Sequence, residues 1–457
     1  MRVPPDRTLS PQESDPPALR SSPKAGLLST IGSALASRGS PALVSFALAR
    51  LLGPGGLGTY ASTASLAAGV AVVLDFGAPQ QLQEAAGRAR GPRDILTDVS
   101  TVYWMRFMAV LFATGAVCVG ALLLRIPLIS AVVLFAAAVS IGESSWLLVT
   151  VGRCMDRETY GLATALFVLA IPAMACAMAG RISHDIRVIA AALLTAQIAV
   201  ISVWAHSVSP SVTPRPLRWQ GYLTRARHGV AYAISAALGW VYGQSDVVIT
   251  SAMLGTAWAG TYYANYRLFA IAQMASIAAS AHWGPRFFEL CHRERLTLRA
   301  REFVGAKVRT VTCGAFVAGI LLGSLGPLLT GVIFGKRFTV DVPVILILAA
   351  GLPASYASVV LGGAITGYGA QRIRNYVQAI AGLSNIALNI WLLRKGGIEV
   401  AAATTTMAGC ILLALYAWFA TRMKLLPLGT LSIIGLALAI GFLGIVAGLY
   451  PAIRAAV

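Results

Sequence analysis

The sequence predicts an all-α polytopic membrane protein, built as two pseudo-symmetric six-helix lobes followed by an additional C-terminal helix. Three observations carry this. The first is composition: 57% of the 457 residues are hydrophobic and only 12% are charged, about half the charged share of a soluble domain. The second is a succession of apolar stretches that match the roughly 20 helical residues needed to cross a ~30 Å hydrocarbon core. The third is an internal duplication relating the two halves.

Apolar segments lie near 27–48, 58–82, 101–124, 127–150, 159–180, 186–206, 228–252, 259–282, 306–333, 341–367, 373–393, 398–421 and 429–450, with no soluble domain between them. Residues 1–26 are polar and proline-rich and lack the apolar core of a signal peptide. They are expected to form a disordered cytoplasmic tail. The domain plan is then a tail over 1–26, a lobe over 27–206, an inter-lobe loop over 207–227, a second lobe over 228–421 and the extra helix within 422–457. The thirteenth segment is the one least tied to the others.

The net charge of +19 does not point to nucleic acid, because its distribution follows the membrane. Loops on the N-terminal side hold 24 of the 36 Lys and Arg, loops on the other side hold nine, and Arg38, Arg106 and Arg267 fall inside spans. This is the positive-inside pattern, which places the N-terminus in the cytoplasm. Thirteen spans then put Val457 outside. The most basic stretch, residues 283–307, reads as a helix lying on anionic headgroups, or as a dock for a partner enzyme. The six cysteines are scattered and form no C-x-x-C pair, so neither a disulfide framework nor a zinc site is indicated. The five histidines show no ligand spacing either.

The stretch LLGPGGLGTYA (51–61) satisfies G-x-G-x-x-G, the dinucleotide fingerprint. That fingerprint works only between a strand and a helix, and here an apolar 20-mer stands on each side. The stretch also recurs 202 residues later as MLGTAWAGTYY (253–263), where Ala257 replaces the middle glycine. What survives is L-G-x4-G-T-Y. We read it as a tight outer turn in which Gly53 ends one helix at positive φ, Gly58 begins the next, and the following tyrosine anchors at the interface. An even number of spans per half makes the repeat parallel, about an axis along the membrane normal.

ARLLGPGGLGTYA followed by LDFGAPQQL, and in the second half GQSDVVITSAMLGTAWAGTYYANYRLF, FGKRFTVDVPVILILAAGLPASYASVVLGGAITGYGAQR and NYVQAIAGLSNIALNIWLL, resemble the Wzx-type polysaccharide-biosynthesis flippases. These belong to the multidrug/oligosaccharidyl-lipid/polysaccharide (MATE-like) exporter superfamily. The resemblance covers about residues 27 to 421. It implies two lobes around a central cavity in a bacterial inner membrane. The implied activity is transfer of undecaprenyl-diphosphate-linked oligosaccharide from the cytoplasmic to the outer leaflet, by alternating access, for surface polysaccharide such as O-antigen or exopolysaccharide. Partners implied are the lipid-linked substrate, membrane lipids, and a polysaccharide polymerase or glycosyltransferase. No cofactor is implied beyond proton or sodium coupling.

An ionisable side chain within a span costs a few kcal/mol by insertion scales of about 2.5–3.5 kcal/mol and so needs a reason. In the first span Ser33, Ser37, Pro41 and Ser45 recur every four residues with Arg38 beside them, one face that lipid would not tolerate. In the eighth, Tyr263 and Arg267 share a face, and Tyr266 is near. Arg38, Arg267, Ser37, Tyr263 and Tyr266 are therefore candidate substrate contacts. A guanidinium fork suits a diphosphate, and tyrosines suit sugar rings. Equally, each arginine could pair with a buried carboxylate. Asp75, Glu143 and Asp246 are the candidate ion-coupling groups, with a structural ion pair or helix-end role as the alternative, Asp246 lying nearer the outer end. Asn385 and Asn389, four apart, suit hydrogen bonds between helices.

A lipid II flippase and a drug or cation antiporter of the same superfamily remain alternatives. An antiporter for cations would call for cavity carboxylates rather than arginines. A membrane polymerase or glycosyltransferase would need a large polar loop with paired carboxylates, and no Walker G-x-x-x-x-G-K-[ST] is present. The chain is therefore expected not to be an enzyme.

Overall fold

A computed structural model of the protein describes residues 23–74, 81, 131–141, 158–208, 219–293, 298–335, 337–338 and 341–454. Among them every regular element is helical: α1 (Pro23–Leu74), α2 (Ala131–Ile141), α3 (Glu158–Ile182), α4 (Ile186–Val208), α5 (Trp219–Leu254), α6 (Thr256–Arg293), α7 (Leu298–Phe334), α8 (Val342–Gly367), α9 (Gln371–Arg422) and α10 (Leu431–Arg454), with a 3₁₀ turn at Leu428–Thr430. Pro41–Val72, Leu298–Phe334, Val342–Gly367, Gln371–Arg422 and Leu428–Tyr450 are long and apolar enough to cross a membrane.

Helices α1 and α9 are each two arms joined at a glycine. Gly53 has φ 68° and Gly397 φ 64°, values open to a residue without a Cβ. Gly255, between α5 and α6, has φ 95°. At each glycine the chain doubles back. Around two of them, residues seven to nine positions on either side meet by hydrogen bonds: Asp246 with Tyr262 around Gly255, and Asn389 with Thr404 around Gly397. The turns expected at Gly53 and Gly255 are therefore present. Together with Gly335 (φ 92°) they define one end of the bundle, called here the glycine-turn end. The 368–370 and 423–430 turns lie at the far end.

The tyrosines of the repeated motif differ from expectation. Tyr60 and Tyr262 are buried in the core rather than anchored at an interface. Tyr60 packs edge-on against Phe135, centroids 5.5 Å apart, and Tyr262 stacks on Tyr266 at 5.9 Å. Gly58 does not begin the helix, which already runs from Pro54; it is a crossing point. A Cβ on it would lie 1.8 Å from the Thr256 carbonyl oxygen, and one on Gly260 would lie 1.9 Å from that of Pro54. Thr256 and Pro54 are themselves 202 positions apart, so the two copies of the motif cross each other about a pseudo-two-fold axis.

Three further segments depart from the sequence reading. Helix α5 begins at Trp219, so the second half of the stretch read as an inter-lobe loop continues the helix. In the basic stretch 283–307, residues 283–293 end α6 and residues 298–307 begin α7, so it is not one separate helix. Its apolar side, including Phe287, Phe288 and Leu290, is buried in protein. Phe287 meets Phe303 edge-on at 5.8 Å, and Lys307 lies over the Trp283 ring at 4.9 Å. Helix α10, the thirteenth segment, is an integral part of the second lobe. A Cβ on Gly444 would lie 2.8 Å from Ala350 Cβ, and one on Gly448 would lie 2.8 Å from Ala403 Cβ, so these glycines let α10 seat closely on α8 and α9. Between α3 and α4, Asp185 caps the helix that follows. Its carboxyl accepts from the Arg187 side chain and backbone N–H, which holds it below the usual carboxylate range.

Candidate functional site

Helix α6 sorts its polar residues onto two faces. Tyr263 and Arg267, one turn apart, face the first lobe. The Tyr263 hydroxyl lies 3.1 Å from Ser45 Oγ on α1, and the Arg267 guanidinium lies over the Tyr263 ring at 5.6 Å. Tyr262 and Tyr266 face the interior of the second lobe. Tyr266 donates to the Gly243 carbonyl at 2.5 Å and packs on Phe269, so it supports the lobe rather than lining the gap between lobes.

Arg267 is 8% exposed, and its Nε and Nη2 are buried without a hydrogen-bond partner. Among the described residues no carboxylate pairs with its buried Nε or Nη2. A buried guanidinium with open donors is costly unless an anion satisfies it. Ser37 and Arg38 lie in α1, with their side chains outside the described residues. Register still places them. At 1.5 Å per residue, Arg38 is about 22 Å and Arg267 about 18 Å from their glycine turns, on helices that run side by side. The pseudo-two-fold gives a second measure. The repeat maps Trp240 onto position 38 and Ser65 onto position 267. Trp240 Nε1 donates to the Ser65 carbonyl at 2.7 Å, so the symmetry brings positions 38 and 267 to the same kind of neighbourhood.

Asp246 occupies a second polar centre. It is 1% exposed and about 13 Å inside the glycine-turn end by the same helical rise. Asn389 Nδ2 donates to its Oδ1 at 3.0 Å, and Thr405 and Tyr262 (3.4 Å) donate to its Oδ2. Asn389 therefore bridges helices, as its spacing suggested. Its Nδ2 also lies within 2.8 Å of Thr404 Oγ1, 3.0 Å of Asn385 O and 3.2 Å of Asn385 Oδ1. An amide nitrogen has two hydrogens, so acceptors outnumber donors here, while Asn389 Oδ1 is buried and unpartnered. Thr404, Thr405 and Tyr262 were not legible as members of this centre. The ATTT run reads as weakly polar helix, and only the hairpin at Gly397 brings it to Asn389. The centre breaks the repeat, since the first-lobe counterpart of Asp246 is Val44. Asp75 and Glu143 fall outside the described residues.

The lobes also meet by Ser65 Oγ donating to Gln244 Oε1 at 3.3 Å, by Phe46 against Phe334 at 5.2 Å, and by Arg50, whose Nε and Nη2 donate to the Ile333 and Val332 carbonyls at 3.0 and 2.5 Å.

No protein-family model matches the sequence, and no curated protein is detectably similar to it. Solved structures are similar along nearly the whole chain. An outward-facing multidrug resistance MATE family transporter of the MOP superfamily aligns with a TM-score of 0.65 at 12% identity, covering 89% of this chain and 97% of its own. The eukaryotic MATE transporter AtDTX14 gives 0.63 at 16%, covering 91% and 98%. Lipid II flippase MurJ, in an inward closed conformation, gives 0.58 at 13%, covering 95% and 97%. The fold is that of the MATE transporters and MurJ. These neighbours are transporters and a flippase, all of the polytopic helical membrane architecture expected from the sequence.

Proposed function

We propose that the protein is a flippase for undecaprenyl-diphosphate-linked oligosaccharide, working by alternating access in a bacterial inner membrane with its N-terminus cytoplasmic. The observation that carries this is the unpaired, buried Arg267 guanidinium at the boundary between lobes, beside the register position of Arg38. Two guanidinium forks at one depth suit a diphosphate, and an organic cation would be repelled. Ser37 and Tyr263 border the same position and serve the head group. The glycine-turn end is the outer end in this reading, and its packed seal makes this the state closed to the outside. Lobe rocking breaks the Gly58–Gly260 crossing and exposes the head group. The lipid II flippase likeness favours the same chemistry with a different glycan.

Asp246 is the coupling site in this reading. A single carboxylate, two threonine hydroxyls, a tyrosine hydroxyl and the unpartnered Asn389 oxygen form a hard-oxygen set. Such a set fits a proton or a sodium ion better than a divalent ion, which takes more carboxylates. Protonation or sodium binding there neutralises the buried charge and biases the equilibrium between inward and outward states. Asp75 and Glu143 remain proposals for the same role. A polysaccharide polymerase or glycosyltransferase is the proposed downstream partner.

The test is a deletion strain assayed for the leaflet in which lipid-linked oligosaccharide accumulates. Cytoplasmic-leaflet accumulation that wild type clears, and that well-expressed Arg38→Ala or Arg267→Ala does not, supports the reading. Intact surface polymer without any accumulation overturns it and turns attention to cation export.

A further inference from the structure

The far end of the second lobe carries a basic stripe that the flippase reading does not use. On α7, Arg301, Gly305 and Arg309 are spaced four apart and so lie on one face. That face meets the 3₁₀ turn that opens into α10. Arg301 Nη2 donates to the Leu426 carbonyl at 3.3 Å. A Cβ on Gly305 would lie 2.5 Å from Pro427 Cγ and 2.8 Å from Thr430 Oγ1, and one on Gly429 would lie 3.9 Å from Arg309 Nη1. Thr430 directly precedes α10, in the position where a hydroxyl ordinarily caps the first turn. It is fully buried, yet its Oγ1 has no hydrogen-bond partner, and neither has the buried Nε of Arg301. The first turn of the 24-residue α10, where the Leu431 N–H already bonds the Leu428 carbonyl of the 3₁₀ turn, presents partial positive charge at the same place.

Two guanidinia, an uncommitted hydroxyl and a helix N-terminus converge with no carboxylate paired to them among the described residues. We propose that this is a phosphate-binding site. A phosphate group sits at the positive N-terminal end of α10 between Arg309 and Thr430, and so clamps the extra helix to α7. The phosphate comes either from an anionic phospholipid headgroup or from free phosphate in solution. The basic collar at this end, with exposed Arg309, Arg422 and Lys424, suits the surface of an anionic leaflet.

The full-length protein is purified in detergent, and its melting temperature is read with phosphatidylglycerol vesicles, phosphatidylcholine vesicles, or millimolar inorganic phosphate. Wild type is compared with Arg309→Gln, Thr430→Val and, as a control off the stripe, Arg372→Gln. Ligand bound only to the folded state raises the melting temperature. The expected result is a rise of several degrees with phosphatidylglycerol and none with phosphatidylcholine, lost in Arg309→Gln and Thr430→Val and kept in Arg372→Gln. The same pattern with inorganic phosphate identifies the free ion as sufficient. Retention of the rise in both stripe variants, equal loss in Arg372→Gln, or no rise with either ligand overturns the site and leaves only diffuse surface charge.

Discussion

Gly58 and Gly260 make the same contact from opposite sides: a Cβ on either would run into the backbone carbonyl of the residue that opens the other's helix, Thr256 or Pro54. Alanine at either position therefore holds the lobes apart at the glycine-turn end. Gly58→Ala and Gly260→Ala are expected to raise labelling of a cysteine placed at Ser45 by a membrane-impermeant maleimide applied from outside, and by similar amounts. If only one of them does so, the reciprocal crossing is wrong.

Arg267 gives a sharper separation of stability from function. Its buried nitrogens lack partners, so a shape-compatible apolar residue removes a desolvation cost. Arg267→Met is expected to melt higher than wild type, by a few degrees, while losing transport. A lower melting temperature would mean that the guanidinium is a structural tie.

The pseudo-two-fold places positions 38 and 267 as neighbours because Trp240 and Ser65 touch. In a cysteine-free background, Arg38→Cys with Arg267→Cys is expected to form a cross-link with a short bismaleimide. Arg38→Cys with Trp391→Cys, on an exposed face of the second lobe, is expected not to. Absence of the first cross-link in folded protein contradicts the shared site.

Asp246 should carry the ion dependence. Asp246→Asn removes the charge but keeps hydrogen-bonding capacity, so a folded variant insensitive to sodium and proton gradients is expected. Thr405→Val leaves one carboxylate oxygen short of a donor, a loss of ~1–3 kcal/mol in stability readable by denaturant or heat. Gradient dependence that survives in Asp246→Asn would move coupling to another carboxylate.

Much of this architecture was legible because it is local. Positive φ at Gly53 and Gly255 follows from glycine in a short turn between apolar helices, and the shared face of Tyr263 and Arg267 follows from helical spacing. What was not legible depends on which neighbour a helix meets. In lipid both the buried and the exposed faces of a helix are apolar, so periodicity did not separate Tyr262, turned to Asp246, from Tyr263, turned to Ser45. The burial of Asp246 is not legible for the same reason: its sequence position gives no sign of the hairpins at Gly255 and Gly397 that close over it. The small residues Gly444 and Gly448 gave no sign of their partners until α8 and α9 were placed.

The most direct measurement is in proteoliposomes carrying undecaprenyl-diphosphate-linked oligosaccharide in one leaflet, with arrival in the other read by a membrane-impermeant probe under a sodium or proton gradient. Wild type is expected to move the lipid, Arg267→Gln to fail while folded, and Asp246→Asn to lose gradient dependence. Wild-type protein that leaves the lipid in place yet exports an organic cation under the same gradient would contradict the flippase assignment.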